Sequence, residues 1–176
     1  YVGLPLSIEF GKKKEVIGFD TNNTRIKQLR NQIDSTGQLT KNEFKNSKNL
    51  KFTNNIKDIM SSNCFIVTVP TPITKSKKPD LRILINVYKM IGKILKKDDI
   101  VILESTVYPG TTSEICVPLL ESYSGLVFNK DFYCGYSPER INPGDKKHTI
   151  SNIKKITSGS NLNIAKIIDD LYKEII

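Results

Sequence analysis

Several residue types are scarce in this sequence, and their scarcity limits the chemistry that it supports. The chain has no tryptophan, one histidine and three cysteines. Cys64, Cys116 and Cys134 show neither a CxxC spacing nor a histidine close by in sequence, so we expect no metal site. An odd number of thiols gives no disulfide framework and favours free thiols in a reducing cytoplasm. His148 lies in a polar segment, where a solvated side chain is expected.

Long apolar runs and a secretory signal are absent as well. No run approaches the roughly 20 apolar residues that a membrane-spanning helix needs. The N-terminus has no charged segment followed by an apolar core. These absences lead us to expect a cytoplasmic protein with no membrane partner. The chain begins at Tyr1 without an initiator methionine, so we also expect a piece of a longer protein.

The chain is basic, with a formal net charge of +9, which would suit an anionic partner such as nucleic acid. The lysines, however, are scattered through predicted loops and helix faces. No aromatic residues alternate with them, as they do on a platform that binds single strands. We therefore expect no nucleic-acid partner. With 176 residues, the chain is long enough for one domain with a hydrophobic core.

Short apolar segments alternate with amphipathic segments along the chain. Strands are expected over residues 16–20, 50–53, 64–69, 100–103, 132–136 and 155–157. Helices are expected up to Gly11, over residues 24–30, 80–95 and 164–175, and from Thr111 onward. This alternation predicts an α/β fold with a doubly wound, mostly parallel sheet of the Rossmann kind.

Local signals predict how several of these elements begin and end. The spacing of Thr111 and Glu114 fits a capping box at the start of a helix, which Pro118 should then interrupt or kink. Asp80 is placed to cap the helix that follows it. Residues 34–51 are polar enough to form a long, mobile loop.

Polar side chains follow the predicted strands. Asp20, Thr71, Thr106 and Glu139 each come after a strand, and the carboxyl ends of parallel strands share one edge of a sheet. A strand-terminal acid soon after a glycine turn is typical of ribose binding in dinucleotide folds. Simpler interpretations stay open: a turn former for Asp20, cap or turn hydroxyls for Thr71 and Thr106, and a surface pair between Glu139 and Arg140.

Four segments stand out in order along the chain: YVGLP at 1–5, VPTP at 69–72, ESTVYPGTT at 104–112 and SPERINPG at 137–144. Together they resemble the UDP-glucose/GDP-mannose dehydrogenase family. Within it they are most similar to the branch that oxidises UDP-N-acetylhexosamines for surface polysaccharides. The resemblance extends over essentially the whole chain.

The resemblance implies that part of the family's architecture lies outside this sequence. Gly3 would be the third glycine of GxGxxG, and the first two glycines and the first strand of the sheet are not in the sequence. The sugar-nucleotide domain, with its catalytic lysine and nucleophilic cysteine, would follow Ile176. Residues 1–176 are thus expected to be an NAD-binding domain truncated at both ends, from an enzyme that forms homodimers.

The resemblance also implies a reaction and a set of site residues. The family transfers two hydrides to NAD and converts a C6 alcohol to a carboxylate through a cysteine thioester. Glu139 would supply the base or assist proton transfer, and Thr106 would orient water. The expected cofactor contacts are Tyr1, Val2, Gly3, Asp20, Arg25, Thr71 and Thr106, and the expected contacts of the UDP-N-acetylhexosamine substrate are Arg140 and Ile141.

Two positions refine this expectation. Pro143 stands where plain UDP-glucose members carry a second glutamate, which favours the acetamido-sugar branch. Asp20 favours NAD over NADP because its carboxylate would repel a 2′-phosphate. Other functions stay open, namely a non-catalytic nucleotide-binding fragment or decayed gene product, and another Rossmann hydroxyacid dehydrogenase. The enzyme interpretation requires all four loops to meet around one ligand.

Overall fold

The computed structural model describes residues 2–140 and 153–176. The chain divides into two compact units. Unit 1 comprises Tyr1–Ser61, Arg140–Lys154 and Tyr172–Ile176, and unit 2 comprises Ser62–Glu139 and Lys155–Leu171.

Unit 1 contains a two-stranded parallel sheet and three helices. Strand β1 (Val16–Phe19) pairs with β2 (Leu50–Thr53), with Val16 opposite Leu50. Both strands and the end of the first helix at Gly11 confirm the sequence predictions. The helices are α1 (Gly3–Gly11), α2 (Asn23–Arg30) and α3 (Lys41–Asn46), and a 3-10 turn spans Ile56–Ile59.

The core of unit 1 is a small apolar cluster. Leu4 and Ile8 lie four residues apart on one face of α1, where they pack with Leu29 and Phe44. A side chain at Gly11 would place its Cβ 2.8 Å from the Cβ of Leu50. Glycine therefore lets α1 end close to the start of β2.

The predicted loop over residues 34–51 is wrong, because it contains α3. Thr40 and Glu43 form a capping box at the start of this helix, with the Glu43 carboxylate accepting from the Thr40 N–H at 2.7 Å. The aromatic ring of Phe44 then packs near that of Phe52, with ring centroids 6.3 Å apart. A cap and one buried aromatic side chain are thus enough to order a short helix in a polar segment.

Before α3, the carboxylate of Asp34 organises the chain. It accepts hydrogen bonds from the backbone N–H groups of Thr36, Gln38 and Leu39 at 2.8 to 3.1 Å. The guanidinium of Arg25 donates to it at 2.7 Å. Its side chain is buried, so these bonds replace the water that the carboxylate loses.

We expect Asp34→Asn to lower the free energy of unfolding by about 1–2 kcal/mol at neutral pH. Burial raises the pKa of Asp34, but hydrogen bonds from Thr36 and Arg25 outweigh burial and lower the pKa from 3.8 to about 2. The pKa of Asp34 is lower in the folded than in the unfolded protein. Its contribution to stability is therefore fully present at a pH above the unfolded-state pKa, and it is lost as the pH falls through the folded-state pKa.

Urea denaturation at neutral pH and near the folded-state pKa checks this expectation, since the difference between Asp34→Asn and wild type should narrow in acid. Asp98→Asn is the matched control, because Asp98 is exposed. The role given to Asp34 would be contradicted if the free energies of unfolding of Asp34→Asn and wild type differed equally at both pH values. It would also be contradicted if Asp98→Asn lost as much stability as Asp34→Asn.

Unit 2 contains a four-stranded sheet in the order β3-β4-β5-β6. Strands β3 (Cys64–Val67), β4 (Ile100–Leu103) and β5 (Tyr133–Tyr136) are parallel, and β6 (Ser158–Gly159) is antiparallel to β5. The α/β class and the mostly parallel pairing confirm the sequence prediction. The described strands nevertheless form two sheets instead of one, since no ladder joins β1 or β2 to the other four strands.

The last strand lies later in the chain than predicted, at Ser158–Gly159 instead of residues 155–157. Gly135 of β5 pairs with Gly159, so two glycines meet at this end of the sheet. A Cβ at Gly159 would lie 2.7 Å from the Cα of Ala165. The ladder therefore forms where the missing side chain lets the backbone approach the next helix.

Two helices of unit 2, α4 (Arg82–Gly92) and α5 (Val117–Ser124), follow β3 and β4. The carboxylate of Asp80 accepts the N–H of Arg82, the first residue of α4, at 3.1 Å. The cap position itself is occupied by Leu81, whose side chain makes no capping hydrogen bond, so Asp80 is one residue earlier than a cap. The capping box predicted at Thr111 and Glu114 is wrong. A π-helix spans Thr111–Cys116 instead, and it follows Gly110 with a left-handed φ of 90°.

The interruption predicted at Pro118 coincides with a change of helix type. The π-helix ends at Cys116, and Pro118 is the second residue of α5, which begins at Val117. A proline is tolerated there because its missing N–H has no partner within the helix. The last helix, α6 (Leu162–Lys173), carries the predicted stripe, in which Ile164, Ile168 and Tyr172 are buried.

None of the helices in the described ranges, 2–140 and 153–176, is long and apolar enough to cross a membrane.

Candidate active site and cofactor-binding residues

The parallel strands of unit 2 bring three predicted site residues to one edge of the sheet. Thr71 follows β3, Thr106 follows β4 and Glu139 follows β5. Backbone hydrogen bonds continue past the strands: the Glu104 N–H donates to Val67 at 2.9 Å, and the Glu139 N–H donates to the Glu104 carbonyl at 3.3 Å. The loop with Glu139 is thus fixed to the loop with Thr106.

A second contact joins the loops after β3 and β4. The hydroxyl of Thr71 donates to the carbonyl of Thr106 at 2.5 Å, and the Ser105 hydroxyl donates to Val69 at 2.6 Å. Thr71 therefore joins the two loops, and its bond to a residue 35 positions away is neither a helix cap nor a local turn. The hydroxyl of Thr106 is exposed and makes no hydrogen bond with any described residue, so it is available to a ligand.

A buried charge cluster lies beside these loops. The ammonium of Lys155 is 2.5 Å from Glu104 Oε2 and 3.6 Å from Glu139 Oε2. The exposed fractions of the three side chains are 2% for Lys155, 0% for Glu104 and 8% for Glu139. A carboxylate this buried is not the solvated surface group of the simpler interpretation.

Glu104 and Lys155 were not among the site residues predicted from the sequence, although Glu104 begins the segment ESTVYPGTT. Glu104 lies directly after a buried apolar strand, and Lys155 is the first residue of the strand predicted over residues 155–157. A charged residue beside each such segment was the available signal, because long charged side chains are seldom buried without a partner.

The hydroxyl of Ser137 is a further unusual feature of this edge. The side chain is 0% exposed, and its oxygen has no hydrogen-bond partner among the residues that the structure describes. Its backbone N–H donates to Leu103 at 2.9 Å, which continues the ladder between β4 and β5. A buried hydroxyl without a partner has the capacity to donate to a group that enters the site.

The residues predicted to bind the cofactor pyrophosphate lie at the start of α1 in unit 1. Val2 occupies the position before the helix, and no side chain caps its first N–H groups. These groups and the helix dipole favour an anion near Gly3. Tyr1 and Ile141 lie outside the described residues.

Asp20 follows β1 directly. Its Oδ1 accepts the N–H of Asn22 at 2.8 Å, so it forms the turn that a simpler interpretation gave it. The side chain is exposed, and Oδ2 accepts no hydrogen bond from the described residues. An open carboxylate oxygen after β1 and uncapped N–H groups on α1 are the donors and acceptors that a ribose diol and a pyrophosphate need, so unit 1 fits a dinucleotide.

Two arginines of the predicted site differ in their surroundings. The guanidinium of Arg25 donates to Asp34 and, at 3.0 Å, to the hydroxyl of Ser35. The two terminal nitrogens of the guanidinium therefore bind residues that precede α3. The planar face of the guanidinium is the part available to stack on an adenine ring. Arg140 is exposed and donates to the carbonyl of Lys154 at 3.1 Å.

The two buried cysteines, Cys116 and Cys134, do not suit nucleophilic catalysis. Burial raises the pKa of Cys116 to about 12. Burial also raises the pKa of Cys134, so neither thiol forms a thiolate readily at neutral pH. Within the described ranges, no group of three or more His, Cys, Asp or Glu side chains could hold a metal ion.

The structure thus places Thr71, Thr106 and Glu139 on one edge of the sheet in unit 2. Val2, Gly3, Asp20 and Arg25 belong to unit 1. That all of them surround one ligand stays a prediction.

Comparisons with known proteins identify the family to which this chain is similar. The model of the UDP-glucose/GDP-mannose dehydrogenase family, NAD binding domain, matches residues 1–176. The chain is 60% identical over 176 residues to a UDP-N-acetyl-D-glucosamine 6-dehydrogenase of Pseudomonas aeruginosa, and it covers 42% of that protein. It is 55% identical to an enzyme of the same name from Salmonella typhi, of which it covers 41%.

A solved structure supports the same assignment. The structure of UDP-D-ManNAc dehydrogenase from Pyrococcus horikoshii superimposes with a TM-score of 0.90 at 29% identity. The match covers 100% of this chain and 43% of the Pyrococcus chain. Residues 1–176 therefore span less than half the length of these relatives.

Proposed function

The chain belongs to the UDP-glucose/GDP-mannose dehydrogenase family and corresponds to its NAD-binding domain, and from this membership we propose that the whole protein oxidises a UDP-N-acetylhexosamine. Two relatives named UDP-N-acetyl-D-glucosamine 6-dehydrogenase, at 60% and 55% identity, support this substrate class. A relative from Staphylococcus aureus named Protein CapL, at 51% identity, is compatible with a role in capsule synthesis.

The proposed reaction converts the C6 alcohol of the sugar to a carboxylate in two oxidations. The alcohol first loses a hydride and a proton to give an aldehyde. A cysteine outside residues 1–176 then adds to the aldehyde, and loss of a second hydride and proton gives a thioester. Water hydrolyses the thioester and releases the uronate and the thiol. NAD, when bound, accepts one hydride in each oxidation, so each sugar reduces two NAD molecules.

In this reaction Glu139 is the proposed base, which takes a proton from the reacting water or assists proton transfer at C6. The exposed hydroxyl of Thr106 would orient that water. The observation on which this proposal rests is that a buried carboxylate and an exposed, unbonded hydroxyl stand on neighbouring loops at the carboxyl edge of one parallel sheet.

The cofactor roles follow from unit 1. The N–H groups after Val2 would bind the pyrophosphate, and Asp20 would accept hydrogen bonds from the adenosine ribose. Arg25 would place its planar face against adenine, and Thr71 would support the loop near the nicotinamide through its bond to Thr106.

The substrate and assembly roles are proposals of the same kind. Arg140 and Ile141 would hold the sugar nucleotide, since a guanidinium suits phosphate oxygens. The whole enzyme would form a homodimer, which light scattering measures directly. A cytoplasmic location is supported by three free thiols in the chain.

The stoichiometry of the reaction tests this function. We expect the full-length protein to form two NADH for each UDP-GlcNAc or UDP-GalNAc consumed, measured by absorbance and by chromatography of the sugar product. One NADH per sugar, with an aldehyde as the product, would contradict the thioester route. No NADH with any UDP-N-acetylhexosamine would contradict the substrate class.

A further inference from the structure

Lys155 and Glu104 have no part in the function proposed above, yet they form the most deeply buried ion pair at the candidate site. Their side chains are 2% and 0% exposed, and Lys155 Nζ lies 2.5 Å from Glu104 Oε2. The free-energy cost of removing two such ions from water exceeds the energy of their attraction, unless the two groups are in good contact and other groups also interact with them. Stability alone therefore does not explain why this ion pair is buried here.

The reason lies in the third member of the cluster. Glu139 Oε2 is 3.6 Å from the same ammonium, a distance that suits charge attraction but exceeds a good hydrogen bond. Lys155 thus donates to Glu104 while its charge attracts Glu139. Two carboxylates placed this close together out of water would repel each other, and the ammonium between them opposes that repulsion.

The backbone holds the two glutamates in the same arrangement. The Glu139 N–H donates to the Glu104 carbonyl at 3.3 Å, so the loops after β4 and β5 share one hydrogen bond beside the shared ammonium. Glu104 is further fixed by its own N–H, which donates to Val67 of β3 at 2.9 Å. Glu104 is therefore a rigid anchor for Lys155, and through Lys155 for Glu139.

We propose that Lys155 is a positioning residue, whose ammonium is fixed by Glu104 and holds the carboxylate of Glu139 in place at the carboxyl edge of the sheet. This inference rests on the proposed function, in which Glu139 is the base. A base misplaced by about 1 Å loses much of its effect, so a positioning residue controls kcat without touching the substrate.

Lys155→Met in the full-length enzyme tests the proposal, because it keeps the length of the side chain and removes the charge. We expect kcat to fall roughly tenfold, with the KM for NAD changed less than about twofold. Lys154→Met is the matched control, since it removes the same charge from the adjacent, exposed residue. The control should keep wild-type kcat, and thermal unfolding of both variants measures any general loss of stability.

Two double variants distinguish positioning from a structural role. In Glu139→Gln, the further change Lys155→Met should lower kcat by less than about twofold, because a residue that acts through Glu139 has nothing left to position. Glu104→Gln with Lys155→Met removes both charges of the buried pair, so it should fold, yet kcat should stay about as low as in Lys155→Met alone.

The contrary outcomes are distinct. If Lys155→Met lowers kcat equally in wild type and in Glu139→Gln, or if the added Glu104→Gln restores kcat, then Lys155 only neutralises Glu104 and the proposal is overturned. If Glu139→Gln alone leaves kcat unchanged, Glu139 is not the base and the proposed mechanism fails before Lys155 is considered.

Discussion

Replacing Glu139 by Gln is expected to lower kcat by about 10²- to 10⁴-fold, the range over which a general base contributes. The substitution keeps the size of the side chain and its buried position beside Lys155, and it removes only the capacity to accept a proton. Glu139 is not among the predicted cofactor contacts, so the Kd for NAD should change little.

Steady-state kinetics with UDP-GlcNAc or UDP-GalNAc and a separate titration of NAD measure these two quantities. Glu15→Gln is a suitable control, because it removes one carboxylate charge from an exposed position. An unchanged kcat in Glu139→Gln would remove Glu139 from the mechanism. A large rise in the Kd for NAD with normal kcat would instead place Glu139 among the cofactor contacts.

A strand is predicted best from sequence when burial on both faces requires nearly every residue in it to be apolar. β4 is four apolar residues long, and three of them are buried, because a parallel strand is covered on both faces. Its bounds were predicted to the residue. Those of β2 were too, although only Thr53 of that strand is buried. The loop after β4 was predicted from its polar residues, although the first two of them, Glu104 and Ser105, are themselves buried.

The elements that sequence missed depend on contacts between distant residues or on backbone geometry. α3 required the capping box of Thr40 and Glu43, a short signal within a polar segment. The π-helix from Thr111 depends on the left-handed Gly110, a conformation that the glycine permits but does not demand. β6 depends on the close approach of Gly159 to α6.

In the candidate site too, some residues could be predicted from local sequence and others depend on contacts between distant residues. Glu139 and Thr106 lie in segments whose residue types indicate a binding loop, so they were found from sequence. Lys155 is 51 residues from Glu104, and only the folded sheet brings their side chains together. A charged residue next to each strand is a sequence signal for each residue alone, but it does not identify the partner, because lysines are mostly exposed. Partners of catalytic groups are therefore the part of a site that requires coordinates.

Asp20→Asn is expected to weaken NAD binding about 30-fold, since hydrogen bonds to a charged acceptor contribute roughly 1.5–3 kcal/mol. Asparagine keeps an oxygen that accepts the Asn22 N–H, so the turn after β1 should persist and the change should isolate the charge. Loss of the carboxylate also removes its repulsion of a 2′-phosphate, so NADP should bind as well as before or better.

Calorimetric titration of NAD and of NADP into wild type and Asp20→Asn measures the four Kd values. The ratio of the Kd for NAD to the Kd for NADP should rise in Asp20→Asn by at least the factor by which NAD binding weakens. Glu15→Gln again provides an exposed carboxylate whose removal should leave both Kd values unchanged. Equal weakening of NAD and NADP would mean that Asp20 acts only through the turn that it forms with Asn22. An unchanged Kd for NAD would mean that the ribose lies away from the end of β1, and the assignment of unit 1 to the adenosine half would then be wrong.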